Sequence, residues 1–564
     1  MQKKSFLYHI ICMLFSMGLF SQNLKLTVYG ETELKTAKID SVGYNANHKD
    51  FESINNEVYL LNAKLQKIGY IESDVEFIKK TNDSSFNCKI VLKRRYKTIH
   101  IYYNTSTVSE KILKMVSGEV NLNYFTLNIE NVEAALVLIN QKLSEQGQPF
   151  LKLKLSDFKP DAASSLSATL VVESKSDQRT IDNIIVKGYD KFPKSFLKHY
   201  LKIKPKQVFD LKRIQEKTEQ LRNLRFANEI KPPEVLFTKD STTLYLYIKK
   251  NTSNTFDGFL GFGTNEQTNK LDFDGYLNLS LNNNLNYGES FRLLYKSDEN
   301  AQKTFESNLT LPYLFKSPIG IDFLLRIFKR DTSFTTVNQS VKAFYQVNSK
   351  HKIYTGIQLT ESNNLLSTNT TNSILDYKTF YTNVGYEFIQ PQFSNLLFPI
   401  KSKLLLETNF GKRSISQESE NQILLIIDAF KIFNLNDKNS IYIRGNANNL
   451  NSKNYLENEL IRFGGINSIR GFEENSLFAS MYGLINTEYR YQIDNNIYLH
   501  SIIDFAYYQN KLTNIEEKLY GYGFGFGIRT NAGLLKFNYA NGKNENSKFK
   551  LSNSKIHISL VTYF

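Results

Sequence analysis

From Thr252 to Phe564 the chain shows no helical periodicity; apolar and polar side chains alternate instead, in stretches of about ten residues separated by Asn, Ser, Lys, Gly and Asp clusters. Sixteen such stretches run from one beginning near Phe256 to one beginning near Ile556. A tilted strand of about 9–11 residues crosses a bilayer, and one apolar face per strand suits a wall between lipid and a polar lumen. In lipid every backbone N–H and C=O must find its partner within the protein, so these strands are viable only if the sheet closes on itself. The 313 residues leave about 20 per strand with its connection, enough for sixteen spans. The expected fold here is an all-β, 16-stranded antiparallel transmembrane barrel over residues 252–564.

Turn chemistry supports that register. Pro312 and Pro318 follow the fourth stretch, and Pro391 and Pro399 the eighth, where proline removes no ladder hydrogen bond. The longest linkers, 361–378 and 449–478, follow the seventh and the eleventh. An even strand count returns the chain to the face it started from, so the long linkers share the opposite face, expected to be extracellular. In the last stretch Ile556, Ile558, Leu560, Thr562 and Phe564 share one side. The chain holds no Trp, so its interfacial girdles are expected to consist of Tyr and Phe.

Before the barrel, helical periodicity appears at Phe51, Ile54, Val58, Leu61, Leu65 and Ile68, ended by Gly69. It returns at Ile129, Val132, Leu136, Ile139 and Leu143, ended by Gly147. A third copy reads as a strand over 181–186, a helix opened by Pro193, a second helix marked by Leu211, Ile214, Thr218 and Leu221, then strands 235–237 and 244–248. These are three β-α-α-β-β units, α+β in class, expected over 23–95, 96–176 and 177–251. Residues 1–22, with Lys3 and Lys4 before the apolar run 6–20, read as a signal peptide. The mature chain then keeps one thiol, Cys88, expected in a half-buried strand.

The unit order resembles that of polypeptide-transport-associated (POTRA) domains, most closely in IDNIIVKGYDKFPKSFLKHYLKIKPKQVFD. Between the eleventh and twelfth stretches lies LIRFGGINSIRGFEENS, whose Ile469, Arg470, Gly471 and Phe472 resemble the (V/I)RG(F/Y) motif of the outer-membrane assembly superfamily of BamA- and TamA-like proteins. In that family the motif sits on the sixth extracellular loop and folds back into the barrel, and the strand count places it on the sixth such loop here. By parity the lumen is expected to offer Glu488, Asp504 and a row of glycines, Gly521, Gly523, Gly525 and Gly527. A guanidinium needs a planar acceptor and the loop needs close backbone approach. The resemblance implies Asp504 as first partner of Arg470, with Glu488 second; Ala506 stands where the family carries Gly. It also implies a weak lateral seam between the first strand, with Phe256, Gly258, Gly261 and Gly263, and the last, with Ile556, Ile558, Leu560 and Phe564.

The resemblance implies an outer-membrane protein that inserts or exports client proteins by β-augmentation, its POTRA-like domains in the periplasm of a Gram-negative bacterium. Lipid, client proteins and a periplasmic or inner-membrane accessory protein are the expected partners. The alternatives are a two-partner-secretion transporter and a passive porin. Seven scattered histidines and the lack of a P-loop or a nucleophile-elbow motif predict no metal, no cofactor and no catalytic site. The net charge of +15 is concentrated in residues 178–250, with 17 basic against 8 acidic side chains, so it reads as one domain's property and not as a nucleic-acid footprint.

Overall fold

The computed structural model describes residues 23–161, 164–173, 178–264, 271–297, 302–366, 373–392, 395, 397–530, 533–546, 551 and 554–563. The expected signal peptide, 1–22, and Phe564 lie outside the described residues. The chain divides into two compact units, one reaching Thr180 and including Val208–Lys212, the other holding Ile181–Gln207 and Arg213–Phe564.

The first unit contains two four-stranded sheets of the same plan. In one, Leu24–Tyr29 pairs in parallel with Ser85–Val91, flanked by Asn47–His48 and Asp74–Asn82. Its long helix Phe51–Lys67 starts at Asp50, whose side chain accepts from Ser53 N while Ser53 answers with its hydroxyl, a capping box. Ile54, Val58, Leu61 and Leu65 form the buried stripe, and Phe51 stays exposed at the helix start. Cys88 is fully buried in this core, not half-buried, and burial pushes its thiol up to about 11. In the second sheet Thr98–Tyr102 pairs in parallel with Ser165–Glu173, between Tyr124–Asn128 and Lys152–Pro160. Gly69 and Gly147 do more than end helices: their carbonyls accept from Tyr96 N (2.9 Å) and Arg179 N (2.7 Å), the residues that follow each joint.

Two elements of the first repeat escaped the periodicity. Leu24–Tyr29 is short, and helix Glu33–Val42 buries only Ile39, so it carries no apolar stripe to read. The third repeat is a three-stranded sheet of Asn183–Lys187, Ala227–Phe237 and Thr242–Lys250. Its edge strand is longer than expected, because Pro232 and Pro233 sit within a register shift instead of ending it. The helix expected from Pro193 is a single wide turn, Phe196–Tyr200.

The second unit also holds the closed barrel. Its strands are β1 (Thr255–Thr264), β2 (Leu271–Asn282), β3 (Ser290–Ser297), β4 (Gln302–Leu311), β5 (Ile319–Arg330) and β6 (Phe334–Gln346). They continue with β7 (His351–Asn364), β8 (Tyr377–Pro391), β9 (Ile400–Ile415), β10 (Glu418–Asn434) and β11 (Asn439–Asn451). The last five are β12 (Met481–Gln492), β13 (Ile497–Asn510), β14 (Ile515–Thr530), β15 (Gly533–Asn544) and β16 (Ser554–Tyr563). All sixteen expected stretches fall on these strands in order. On β8 the alternation is inverted relative to a soluble sheet: Thr379 and Asn383 are buried while Phe380 and Val384 are exposed. An apolar outer face around a polar interior is the pattern of a wall in lipid. No helix among the described residues is long and apolar enough to cross a membrane.

Candidate functional site

The connection between β11 and β12 turns back into the barrel. A short ribbon, Ile461–Phe463 paired with Leu477–Ala479, carries it, and the Arg470 segment lies at the ribbon's end. The barrel wall beneath has one register row running across five strands: Arg444, Asn486, Asp504, Gly521 and Gly542. The loop steps along this row. Arg444 Nη1 donates to Asn467 O (2.7 Å) and Asn486 Nδ2 to Ser468 O (2.8 Å). Arg470 N and Nε donate to Asp504 Oδ2 (3.0 and 2.8 Å), and Arg470 Nη2 to Asp504 Oδ1 (2.6 Å).

The last two steps need glycine. A Cβ on Gly521 would lie 2.3 Å from Arg470 O, and Gly471, at φ +90°, has the β15 backbone at Asn541 and Gly542 directly beneath it. Ile469 anchors the loop in an apolar cluster with Phe463, Leu484, Ala506 and Leu519, and Phe472 packs against its margin.

Arg470 Nη1 also donates to Glu488 Oε1, while Arg490 Nε donates to Glu488 Oε2 (2.7 Å). Two guanidiniums and two carboxylates therefore balance inside the lumen, as burial of charge requires. Arg490 in turn lies over the rings of Tyr442 (4.1 Å) and Phe398 (4.4 Å), the latter on the proline-bounded β8–β9 turn.

Both expected acids thus meet Arg470, Asp504 with three hydrogen bonds and Glu488 with one. Of the four expected glycines only Gly521 meets the loop. Gly525 backs His500 and Asn538, Gly527 backs Tyr498, and Gly523 faces the backbone of Tyr539 and Ala540. Gly542 and Arg444 were missed as loop contacts, and Arg490 as the second cation on Glu488. Parity assigns a residue to a face but does not reveal which register row a loop will follow.

The barrel closes through few register pairs. Among the described residues β1 meets β16 at two register positions, Thr255 with Tyr563 and Phe256 with Thr562, against ten between β1 and β2. Gly258, Gly261 and Gly263 pair with β2, and Ile556, Ile558 and Leu560 pair with β15. The loop straddles this junction. Glu473, just past the motif, accepts from Lys555 Nζ of β16 (2.9 Å), and Glu474 pairs with Lys296 of β3 (3.4 Å).

Residues 179–251 match the POTRA family described as surface antigen variable number repeat. The structure is similar to BamA from Haemophilus ducreyi lacking POTRA domains 1–3 (TM-score 0.50, 15% identity, 82% of this chain and 99% of that one). It is also similar to CdiB from Escherichia coli (TM-score 0.54, 14% identity, 90% of this chain and 97% of that one) and from Acinetobacter baumannii (0.52, 14%, 90% and 97%). This is a POTRA-plus-barrel fold, of the kind BamA and CdiB have. No curated protein sequence matches the chain. At such identities the likeness to BamA and CdiB is one of fold, and a function must be argued from the site.

Proposed function

We propose that this POTRA-plus-barrel protein is an outer-membrane assembly or translocation factor, with its tandem domains in the periplasm and its barrel seam as the place where a client strand is added. The observation that carries this reading is the pairing of a nearly unzipped β1–β16 junction with an inserted loop that is ion-paired to strands on both sides of it. An unpaired strand edge is a template for another strand, and each ladder bond a client forms with β1 replaces one that the barrel itself lacks. The sheet edges of the tandem domains, Asp74–Asn82 and Lys152–Pro160, offer the same chemistry to a client on its way to the barrel. No nucleotide is required.

A second reading, export of a dedicated passenger through the lumen in the manner of a two-partner-secretion transporter, draws support from the fold similarity to CdiB over 90% of this chain. Depletion of the protein followed by a catalogue of outer-membrane and secreted proteins separates the two. Loss of many barrels supports assembly, and loss of one exported protein supports secretion. An unchanged membrane and medium would overturn both readings.

A further inference from the structure

The stretch 187–206 of the third domain holds seven lysines and one acidic residue, Asp190. All seven lysines are exposed. In the first unit lysines commonly meet carboxylates, as Lys67 does Glu133, Lys89 does Glu76 and Lys114 does Glu110. Among the described residues none of these seven does; Lys202 donates to a carbonyl, Val347 O (2.9 Å).

The same stretch is fixed to one edge of the barrel. The ring of Phe196 lies over Gly288 in the β2–β3 turn and packs edge-on against Tyr313 (4.9 Å) in the β4–β5 turn. Tyr189 Oη donates to Asn286 Oδ1 (2.6 Å) and accepts from Asn283 Nδ2 (2.8 Å), and His199 Nε2 is 2.9 Å from Lys316 O.

Those turns expose apolar side chains that touch little of the protein: Leu285 is 69% exposed, Tyr287 72% and Phe315 92%. The outer wall stays apolar up to the turns, through Ile319, Tyr345 and Ile353. Where an apolar wall ends in exposed aromatics, the headgroup layer begins.

We propose that the third domain and these turns form one collar that binds anionic phospholipid headgroups of the leaflet facing the tandem domains. Phe315, Tyr287 and Leu285 enter the interface, and the lysines of 187–206 lie against the phosphates. Unpaired cations beside a membrane edge complement a negative surface, and the attraction decays within a Debye length. The proposal rests on the barrel fold and is independent of what the seam does.

The test uses the full chain folded in nanodiscs, checked by heat-modifiable gel migration. In phosphatidylcholine discs containing phosphatidylglycerol, acetylation of Lys191, Lys194 and Lys198 by a water-soluble reagent should be slower than in phosphatidylcholine alone. The protection should vanish in 1 M salt, where the Debye length falls to about 3 Å. A free lysine-containing peptide in the same buffers should react equally beside both discs. Equal rates at 187–206 in the two lipids would overturn the proposal and leave an acidic protein as the partner of those lysines. Because the chain contains no Trp, Phe315→Trp supplies its sole indole, excited apart from the tyrosines in vesicles free of scaffold protein. Blue-shifted emission quenched by brominated phospholipid is expected, and emission typical of water would overturn the apolar half of the collar.

Discussion

Arg470 is held by a planar match that a point charge does not reproduce: two parallel bonds to Asp504, a third through its own backbone amide, and Glu488 beyond. Arg470→Lys is therefore expected to release the loop nearly as fully as Arg470→Ala. Removing one partner from a buried ion pair costs about 3–5 kcal/mol, which falls on loop docking because the ladder of the barrel is untouched. Both variants should migrate as folded barrels while a cysteine placed at Ser468 becomes rapidly labelled and client assembly drops. Slow labelling in Arg470→Lys would refute the bidentate account. Gly521→Ala should give the same labelling with every charge intact, since its Cβ meets Arg470 O. A different residue governs acid sensitivity in the first sheet domain. Burial raises the pKa of Glu31, but the bond from Lys35 and the amides of Leu92 and Lys93 outweigh it and hold the carboxyl at about 2, below its usual 4.5. A depressed carboxylate pKa contributes stability that is full above 4.5 and is lost as pH falls toward 2. Glu31→Gln should flatten the acid limb of the proteolysis profile of this domain in that window.

At the junction, among the described residues, β1 closes onto β16 through two register pairs, against ten with β2. Cysteines at Thr255 and Tyr563, partners across it, should crosslink under mild oxidation, and the locked form should lose client assembly until reduced. Full activity in the locked form would refute lateral strand addition. Glu473 and Glu474 tie the inserted loop to both sides, so Glu473→Gln with Glu474→Gln should lower the crosslinking yield, and Lys555→Glu with Glu473→Lys should restore part of it. An unchanged yield would show that the two ion pairs do not hold the junction.

At the scale of the whole chain the question is whether the tandem domains and the barrel work together. The third domain is bonded to the β2–β3, β4–β5 and β6–β7 turns by aromatic and hydrogen-bond contacts, so it belongs mechanically to the barrel. A passive porin would need neither these domains nor the inserted loop. Planar-bilayer conductance of the full chain is expected to be small and unsteady, because the loop lies across the lumen wall, and deletion of 23–250 should abolish client assembly. A large, stable conductance unchanged by that deletion would identify a porin instead.

Strand number, strand order and the place of the proline turns were legible without coordinates, because lipid on one side and water on the other enforce a two-residue period that each strand carries locally. The Arg-Gly-Phe loop was legible through its resemblance to a family motif, which also ranked Asp504 over Glu488, while strand parity put both acids on the lumen face where a guanidinium can be answered. The first strand and helix of the tandem array were not, since one short strand and a helix that buries only Ile39 carry no period. Tertiary structure alone decided that the loop follows the row from Arg444 to Gly542, that Gly521 rather than its three alternating neighbours makes the close approach, and that Arg490 completes the charge balance. It also decided how few bonds close β1 onto β16, because closure joins residues some 300 positions apart in sequence, and pairing at that separation depends on the summed tilt and register of every strand between.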